Sequence, residues 1–266
     1  MIVDYHMHLR NARGEIAHDI QSVEPFVEAA RVAGVDEIGF TEHIYYFRQT
    51  RPLCTVPYQV ERCVYDLERY VEAVVHARDR GLPVKLGLEV DYVPGREEET
   101  REILAPYPWD YLLGSVHFVD GLGVDGEPRL LDAVGVEEAW RRYFNTLAAA
   151  ARSGLFDSLS HPDLVKIFGD RVPFNYGPAT EAIAQAGVAV EVSTAGLRKP
   201  VRELYPHPDF LRACRERSVP VTLGSDAHEP DVVGRDFDRA RELLRSAGYE
   251  TVTVFAERGS RQEPLG

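Results

Sequence analysis

The sequence predicts an α/β fold, a closed barrel of parallel strand–helix units forming a single domain over residues 1–266. Three observations lead there. Seven short apolar runs alternate with amphipathic stretches of helical period, the pattern of parallel βα units. No low-complexity linker divides the chain. Each run stays apolar until its C-terminal end, where His, Glu, Asp or Ser appears. Closure into a barrel brings such ends to one mouth and avoids the switch point that an open sheet needs.

Ile2–His6 is the first strand. In Asp4-x-His6-x-His8 the two-residue spacing puts all three side chains on one face. Helix Ser22–Ala33 follows and stops at Gly34. Strand Glu37–Thr41 runs into Glu42-His43, helix Tyr58–Arg80 stops at Gly81, and strand Val84–Glu89 ends on its own carboxylate. Helix Arg96–Ala105 carries the solvated run Arg96-Glu97-Glu98-Glu99, and strand Tyr111–His117 closes on a histidine. Helix Val136–Arg152 stops at Gly154, and Ser158–His161 is the fifth strand. Helix Ala179–Ala186 stops at Gly187, and strand Ala189–Ser193 carries Glu191. Helix Pro208–Arg217 precedes strand Val219–Ser225, which runs into Asp226-Ala227-His228, and helix Asp236–Ser246 stops at Gly248. Glycine at these stops supplies the left-handed residue that ends many helices.

Composition narrows the function. At 44% apolar the 266 residues can bury one large core. A formal charge of −13 disfavours nucleic acid as a partner. It leaves a small phosphorylated substrate open, because bound cations reverse the local sign. No run approaches the roughly 18 apolar residues of a membrane span, and the N-terminus lacks a signal-peptide pattern. Cys54, Cys63 and Cys214, an odd number without Cys-x-x-Cys spacing, fit a reducing cytoplasm and argue against disulfides or a thiolate metal site. Arginine outnumbers lysine 27 to 3.

The strand ends carry a ligand set. His6 and His8 with Glu89 and Asp226 offer one divalent cation two nitrogens and two oxygens. His117 and His161 offer a second position, with Glu89 bridging, and His43 and His228 begin a third that needs another ligand. Zinc, iron or manganese suits such donors. Bridged cations bring the pKa of water toward neutrality and aim a hydroxide at phosphorus, so no serine or cysteine nucleophile is required. Ser160, Ser193 and Ser225 lack a Gly-x-Ser-x-Gly elbow and are expected to support ligands or touch phosphate. His76, inside a helix, and His207, between two prolines, stay outside the set.

Asp4-Tyr5-His6-Met7-His8, Thr41-Glu42-His43, Glu89, His117, His161 and Gly224-Ser225-Asp226-Ala227-His228 resemble the motifs of the polymerase and histidinol phosphatase (PHP) family. The resemblance implies a distorted (β/α)7 TIM-like barrel with a trinuclear metal centre. Glu37–His43, Gly87–Tyr92, Gly114–Phe118 and Ser193–Lys199 resemble the stand-alone histidinol-phosphate phosphatases within that family. They imply hydrolysis of L-histidinol phosphate to L-histidinol and phosphate in histidine biosynthesis. The resemblance also implies a third-site histidine in the loop before the first helix, where His18 falls, with Glu15 as its substitute. Glu191 has no ligand role in the family and is expected to support the set. Two other readings are a PHP phosphoesterase acting on nucleotides or oligonucleotide ends, and a non-catalytic metal-binding module.

Substrate contacts follow more loosely. Arg198, just past the sixth strand, can grip phosphate oxygens bidentately and stabilise transition-state charge, and Lys199 neighbours it. Lys166, five residues past His161, is a second phosphate candidate. Glu42 is placed to orient a ligand or meet substrate, and Ser225 to touch phosphate. The aromatic run Tyr45-Tyr46-Phe47 follows the second strand and is expected to form a lid over the mouth that packs on an imidazole ring.

Overall fold

The computed structural model describes residues 1–127 and 129–266, and its centre is a parallel seven-stranded sheet rolled into a barrel. The elements run β1 (Val3–Asp4), α1 (Ile20–Ala33), β2 (Glu37–Phe40), α2 (Pro57–Arg62), α3 (Leu67–Asp79), β3 (Val84–Asp91), α4 (Glu97–Leu104) and β4 (Tyr111–Ser115). A two-stranded ribbon, β5 (Phe118–Val119) and β6 (Leu122–Gly123), leads to α5 (Leu130–Val134) and α6 (Val136–Arg152). The chain continues with β7 (Ser158–Leu159), α7 (Gly177–Ala186), β8 (Ala189–Ser193), α8 (Pro208–Glu216), β9 (Val221–Gly224) and α9 (Phe237–Ser246). A hairpin of β10 (Thr251–Ala256) and β11 (Gly259–Pro264) completes it.

The sheet order is β1-β2-β3-β4-β7-β8-β9, all parallel. Tyr5 N donates to Leu223 O at 3.0 Å and His8 N to Ala227 O at 2.8 Å, so the first and last strands seal the ring. All seven predicted strands are present, most of them shorter by the polar residues that leave the ladder. Those residues turn into the mouth once their neighbours stop pairing.

Side chains fill the barrel below the mouth. Tyr111 crosses the interior, its hydroxyl donating to Tyr5 O at 2.7 Å. It passes so close to β2 and β3 that a Cβ at Gly39 would lie 2.1 Å from its oxygen, and one at Gly87 2.6 Å from its ring. Phe255 of the hairpin stacks on Tyr111 at 5.2 Å and meets Tyr5 at 5.5 Å, so the aromatic trio closes the barrel floor. Helices cover the outside. In α6, Trp140, Tyr143, Phe144, Leu147 and Ala151 make one buried stripe at helical spacing.

Two elements differ from expectation. The predicted helix Tyr58–Arg80 is broken between α2 and α3. Tyr65 pairs there with the lid, receiving Arg48 N at 2.9 Å and donating to Tyr46 O at 2.9 Å. Asp66 then restarts the helix by accepting from Glu68 N. The β10–β11 hairpin was absent from the predicted strands. Its turn places Glu257 and Arg258 at positive φ, where Asn-Gly is the usual signal, and β11 is polar and mostly exposed.

Candidate metal centre

Six histidines and two carboxylates meet above the aromatic floor. β1 delivers His6 and His8, both fully buried. Glu191 on β8 accepts from His6 Nδ1 at 2.8 Å, which turns His6 Nε2 toward Glu89 Oε1 (3.4 Å) and Asp226 Oδ1 (3.8 Å). His8 Nε2 lies 3.3 Å from Asp226 and 3.8 Å from Glu89. Past β2, His43 Nδ1 is 2.6 Å from Glu89 Oε2. Past β4, His117 gives Nδ1 to Asp91 at 2.6 Å and aims Nε2 at Glu89 Oε1, 3.4 Å away. His161 Nε2 reaches the same oxygen at 3.0 Å. His228 stacks on His8 with ring centroids 4.2 Å apart. Glu89 stands at the middle of this set.

Donor spacing fits cations. Ligands about 2.1 Å from one ion lie roughly 3–3.5 Å apart, and four overlapping trios offer donor atoms within 4.8 Å of one another. They are His6–Glu89–His161, His6–His8–Asp226, His43–Glu89–His117 and His8–His43–His228. A second observation points the same way. His6 Nε2 and His8 Nε2 are buried without a hydrogen-bond partner, and His43 Nδ1 and Glu89 Oε2 face each other at 2.6 Å outside hydrogen-bonding geometry. Such atoms are costly unless something polar fills the space among them.

Backbone geometry agrees. His161 (φ 25°) and Asp226 (φ 53°) sit in the left-handed region that residues other than glycine seldom adopt. Glu191 holds the first by accepting from His161 N at 2.7 Å. Gly224 leaves room for Glu191, because a Cβ there would lie 1.8 Å from its Oε1. The fold thus holds both of these candidate ligands in backbone conformations that cost energy.

Charge balance is tight. Burial raises the Glu89 carboxyl, but His6, His117, His43 and His161 outweigh it and hold it well below the usual range. Burial lowers His6, yet Glu191, Glu89 and Asp226 carry it well above its ordinary value. His117 likewise rises to about 10, burial being outweighed by Glu89 and Asp91. His228 falls to about 3 through burial and the neighbouring His8.

The cleft over this set is about 300 Å³, room for one small molecule. Tyr45, Tyr46 and Tyr58 line it with Phe118, Asp125, Glu127 and Lys199. A larger cleft of about 590 Å³ opens elsewhere, among residues that include Tyr107 and Trp109 just before β4 and Arg258 in the hairpin turn. Its arginines are paired, Arg78 with Asp110, Arg101 with Glu98 and Arg258 with Asp157. It contains none of the converging histidines.

Several expectations need correction. His18 does not join His43 and His228: its ring packs among Phe47, Tyr65 and Tyr70, with Nε2 3.7 Å from Glu42. Glu15 is exposed in a turn, bonded to Asn11. His8 completes that trio instead. Lys166 is fully buried and away from the cleft, with Nζ 2.7 Å from Asp163 and donating to Leu204 O. Ser225 is buried, its N–H given to Asp4 at 2.8 Å. Glu42 lies behind the histidines, 3.5 Å from His8 Nδ1, and accepts from Leu9 N and Arg10. Phe47 is core, packed on Tyr70. The Arg198 guanidinium donates to the Ser225 and Thr194 carbonyls, bracing the turn that presents Asp226. Ser160 hydrogen-bonds Ser115, which donates to Glu89 at 2.7 Å, and Ser193 accepts from Ala195 N. Asp91 had not been singled out, although Glu89-Val90-Asp91 puts it on the same strand face as Glu89.

The comparisons with known proteins agree with this picture. The PHP domain family matches residues 4–195. The chain belongs to the PHP family. A Deinococcus radiodurans protein named "Probable histidinol-phosphatase" is 37% identical over 246 residues, covering 89% of this chain and 91% of that one. The Bacillus subtilis histidinol-phosphatase is 27% identical, over 82% and 91%. In three dimensions, the PHP barrel superposes on Lactococcus lactis histidinol phosphate phosphatase with a TM-score of 0.75. That match covers 98% of both chains at 21% identity, and the solved structure is a complex with zinc, L-histidinol and phosphate.

Proposed function

We propose that this PHP protein is a metal-dependent histidinol-phosphatase, hydrolysing L-histidinol phosphate to L-histidinol and phosphate in histidine biosynthesis. The observation that carries the reading is the 37% identity, over nearly the whole chain, to a relative of that name. The convergent donor set supports it physically. The fold expected from the sequence, one PHP barrel domain over residues 1–266, fits a set drawn from all but one of the barrel strands and the loops beyond them.

In this reading three divalent cations, of the zinc, iron or manganese class, occupy the mouth. His6, His8, Glu89 and Asp226 would hold one, and His117 and His161 with Glu89 would hold a second. His43 and His228 would begin the third. When bound, the cations act as Lewis acids on the phosphate oxygens and make the attacking water acidic enough to ionise near neutral pH. The protein's own residues then do the rest. Glu191 and Asp91 fix the orientation of His6 and His117. Arg198 braces the turn that presents Asp226, and its positive charge beside that carboxylate would stabilise negative charge building on the phosphoryl group. Tyr45, Tyr46 and Tyr58 wall the cleft against water and give the substrate's imidazole aromatic faces. Asp125 and Glu127 line the same cleft and suit its ammonium group. Among the described residues no helix is long and apolar enough to cross a membrane, and a cytoplasmic location fits three free thiols.

Phosphate release from a panel of phosphomonoesters, with metal content measured on the same sample, tests the proposal. The expected result is a kcat/KM for L-histidinol phosphate well above those for nucleotides and aryl phosphates. Preference for nucleotides would overturn the substrate, and hydrolysis without bound metal would overturn the chemistry.

A further inference from the structure

Cys54 and Cys63 are free thiols whose Sγ atoms lie 3.1 Å apart. They bracket α2, whose Tyr58 packs on Tyr45 with ring centroids 5.7 Å apart and so makes the helix part of the lid. Cys63 is buried and its thiol donates to Tyr45 O at 3.1 Å, while Cys54 is partly exposed. Between them Tyr58 faces the cleft. Gln59 turns inward, its Nε2 donating to Asp91 at 2.6 Å. Asp91 in turn holds His117 Nδ1 at 2.6 Å. One short path thus runs from the thiol pair through α2 and Gln59 to a candidate ligand of the metal centre.

We propose that Cys54 and Cys63 are a reversible oxidation site whose disulfide staples α2 over the cleft. The reaction needs a peroxide. Two S–H bonds break and one S–S bond forms, and the two protons and two electrons pass to the peroxide, whose O–O bond breaks to give two waters. Nine residues apart and without a redox motif, the two cysteines carry no pairing signal in the sequence; in the fold they flank the two ends of α2, whose short length lets their sulfurs meet. Burial, and then the facing Cys63 thiol, push the Cys54 thiol up to about 12, so little of it is thiolate and its first oxidation is slow. Once one sulfur becomes a sulfenic acid, the other is already in contact to capture it. A bond at this place closes a short loop around Gln59 and suppresses local opening of the lid.

The test uses the full-length, zinc-loaded protein treated with hydrogen peroxide. Trypsin cuts after Arg62 and separates the two cysteines into different peptides. Mass spectrometry should therefore find these peptides joined, released by dithiothreitol, and absent from Cys54→Ser and Cys63→Ser, while Cys214 stays unmodified inside α8. The oxidised protein should also lose zinc to a chelator more slowly, on the order of tenfold, because Gln59 keeps Asp91 on His117. That second readout rests on the proposed metal centre; the peptide readout does not. Separate sulfinic products at Cys54 with no joined peptide would overturn the site. A joined peptide with unchanged zinc loss would overturn its coupling to the centre.

Discussion

Glu89 lies within 4 Å of five of the converging histidines, and its carboxylate has no substitute among them. Glu89→Gln keeps the shape but removes the charge that two cation positions share. It should lower the metal content of the purified protein and reduce activity by orders of magnitude. Elemental analysis with an unchanged metal count would refute the bridge. The proton balance gives a second prediction. His6 and His117 hold protons above their ordinary range because the carboxylates around them outweigh burial, and a cation must displace those protons. Affinity should therefore rise with pH and binding should release protons, both measurable by calorimetry in buffers of different ionisation enthalpy. An affinity that is flat with pH would contradict the assignment of these two residues. Arg198→Ala should lower the rate on every phosphomonoester by a similar factor, on the order of 10²–10³; a defect confined to histidinol phosphate would move Arg198 to the leaving-group side. At this scale the histidines were legible because each stands at the polar end of an apolar run. Lys166 misled for a physical reason. Its position five residues past a strand-end histidine suggested use, but Asp163 satisfies its charge inside the protein.

The lid was half legible as an element. Its aromatic run is plain in the sequence, yet Tyr45 stacks on His43 at 4.8 Å while Phe47, two residues on, points into the core. Replacing Tyr45 and Tyr46 with Ala should raise KM for histidinol phosphate and spare a generic aryl phosphate, by about ten- to a hundredfold in kcat/KM. Equal losses on both substrates would mean that the two rings only exclude water. Phe47→Ala should instead cost about 3–5 kcal/mol of stability, the range for emptying an aromatic core site, and denaturant unfolding would show it. The break between α2 and α3 shows why local pattern falls short. Helical periodicity continues across Cys63–Asp66, and only pairing of Tyr65 with Tyr46 and Arg48, distant in sequence, interrupts it. Helix ends were easier. Gly34, Gly81, Gly154, Gly187 and Gly248 all have positive φ just past predicted helices, a local demand that sequence can express.

For the whole molecule, closure and filling are separate problems. Closure was readable from seven alternating units. Filling was not, because the floor is built by Tyr5, Tyr111 and Phe255, three residues that nothing local connects. Phe255→Ala would open a cavity against both tyrosines and should cost about 3–5 kcal/mol while leaving kcat near that of the parent, as checked by unfolding and by turnover below the transition. A large loss of kcat at full stability would mean that the floor shapes the mouth directly. The seam between β1 and β9 has a consequence for the donor set. Residues 6 and 8 stand at one side of the seam and residues 226 and 228 at the other, and β9 is the strand that completes the ring. Two of the four donor trios need no residue from the β9 side, while the other two exist only when β9 is paired with β1. Anything that opens this one seam therefore disperses half of the donor groupings at a single stroke and leaves the other half standing.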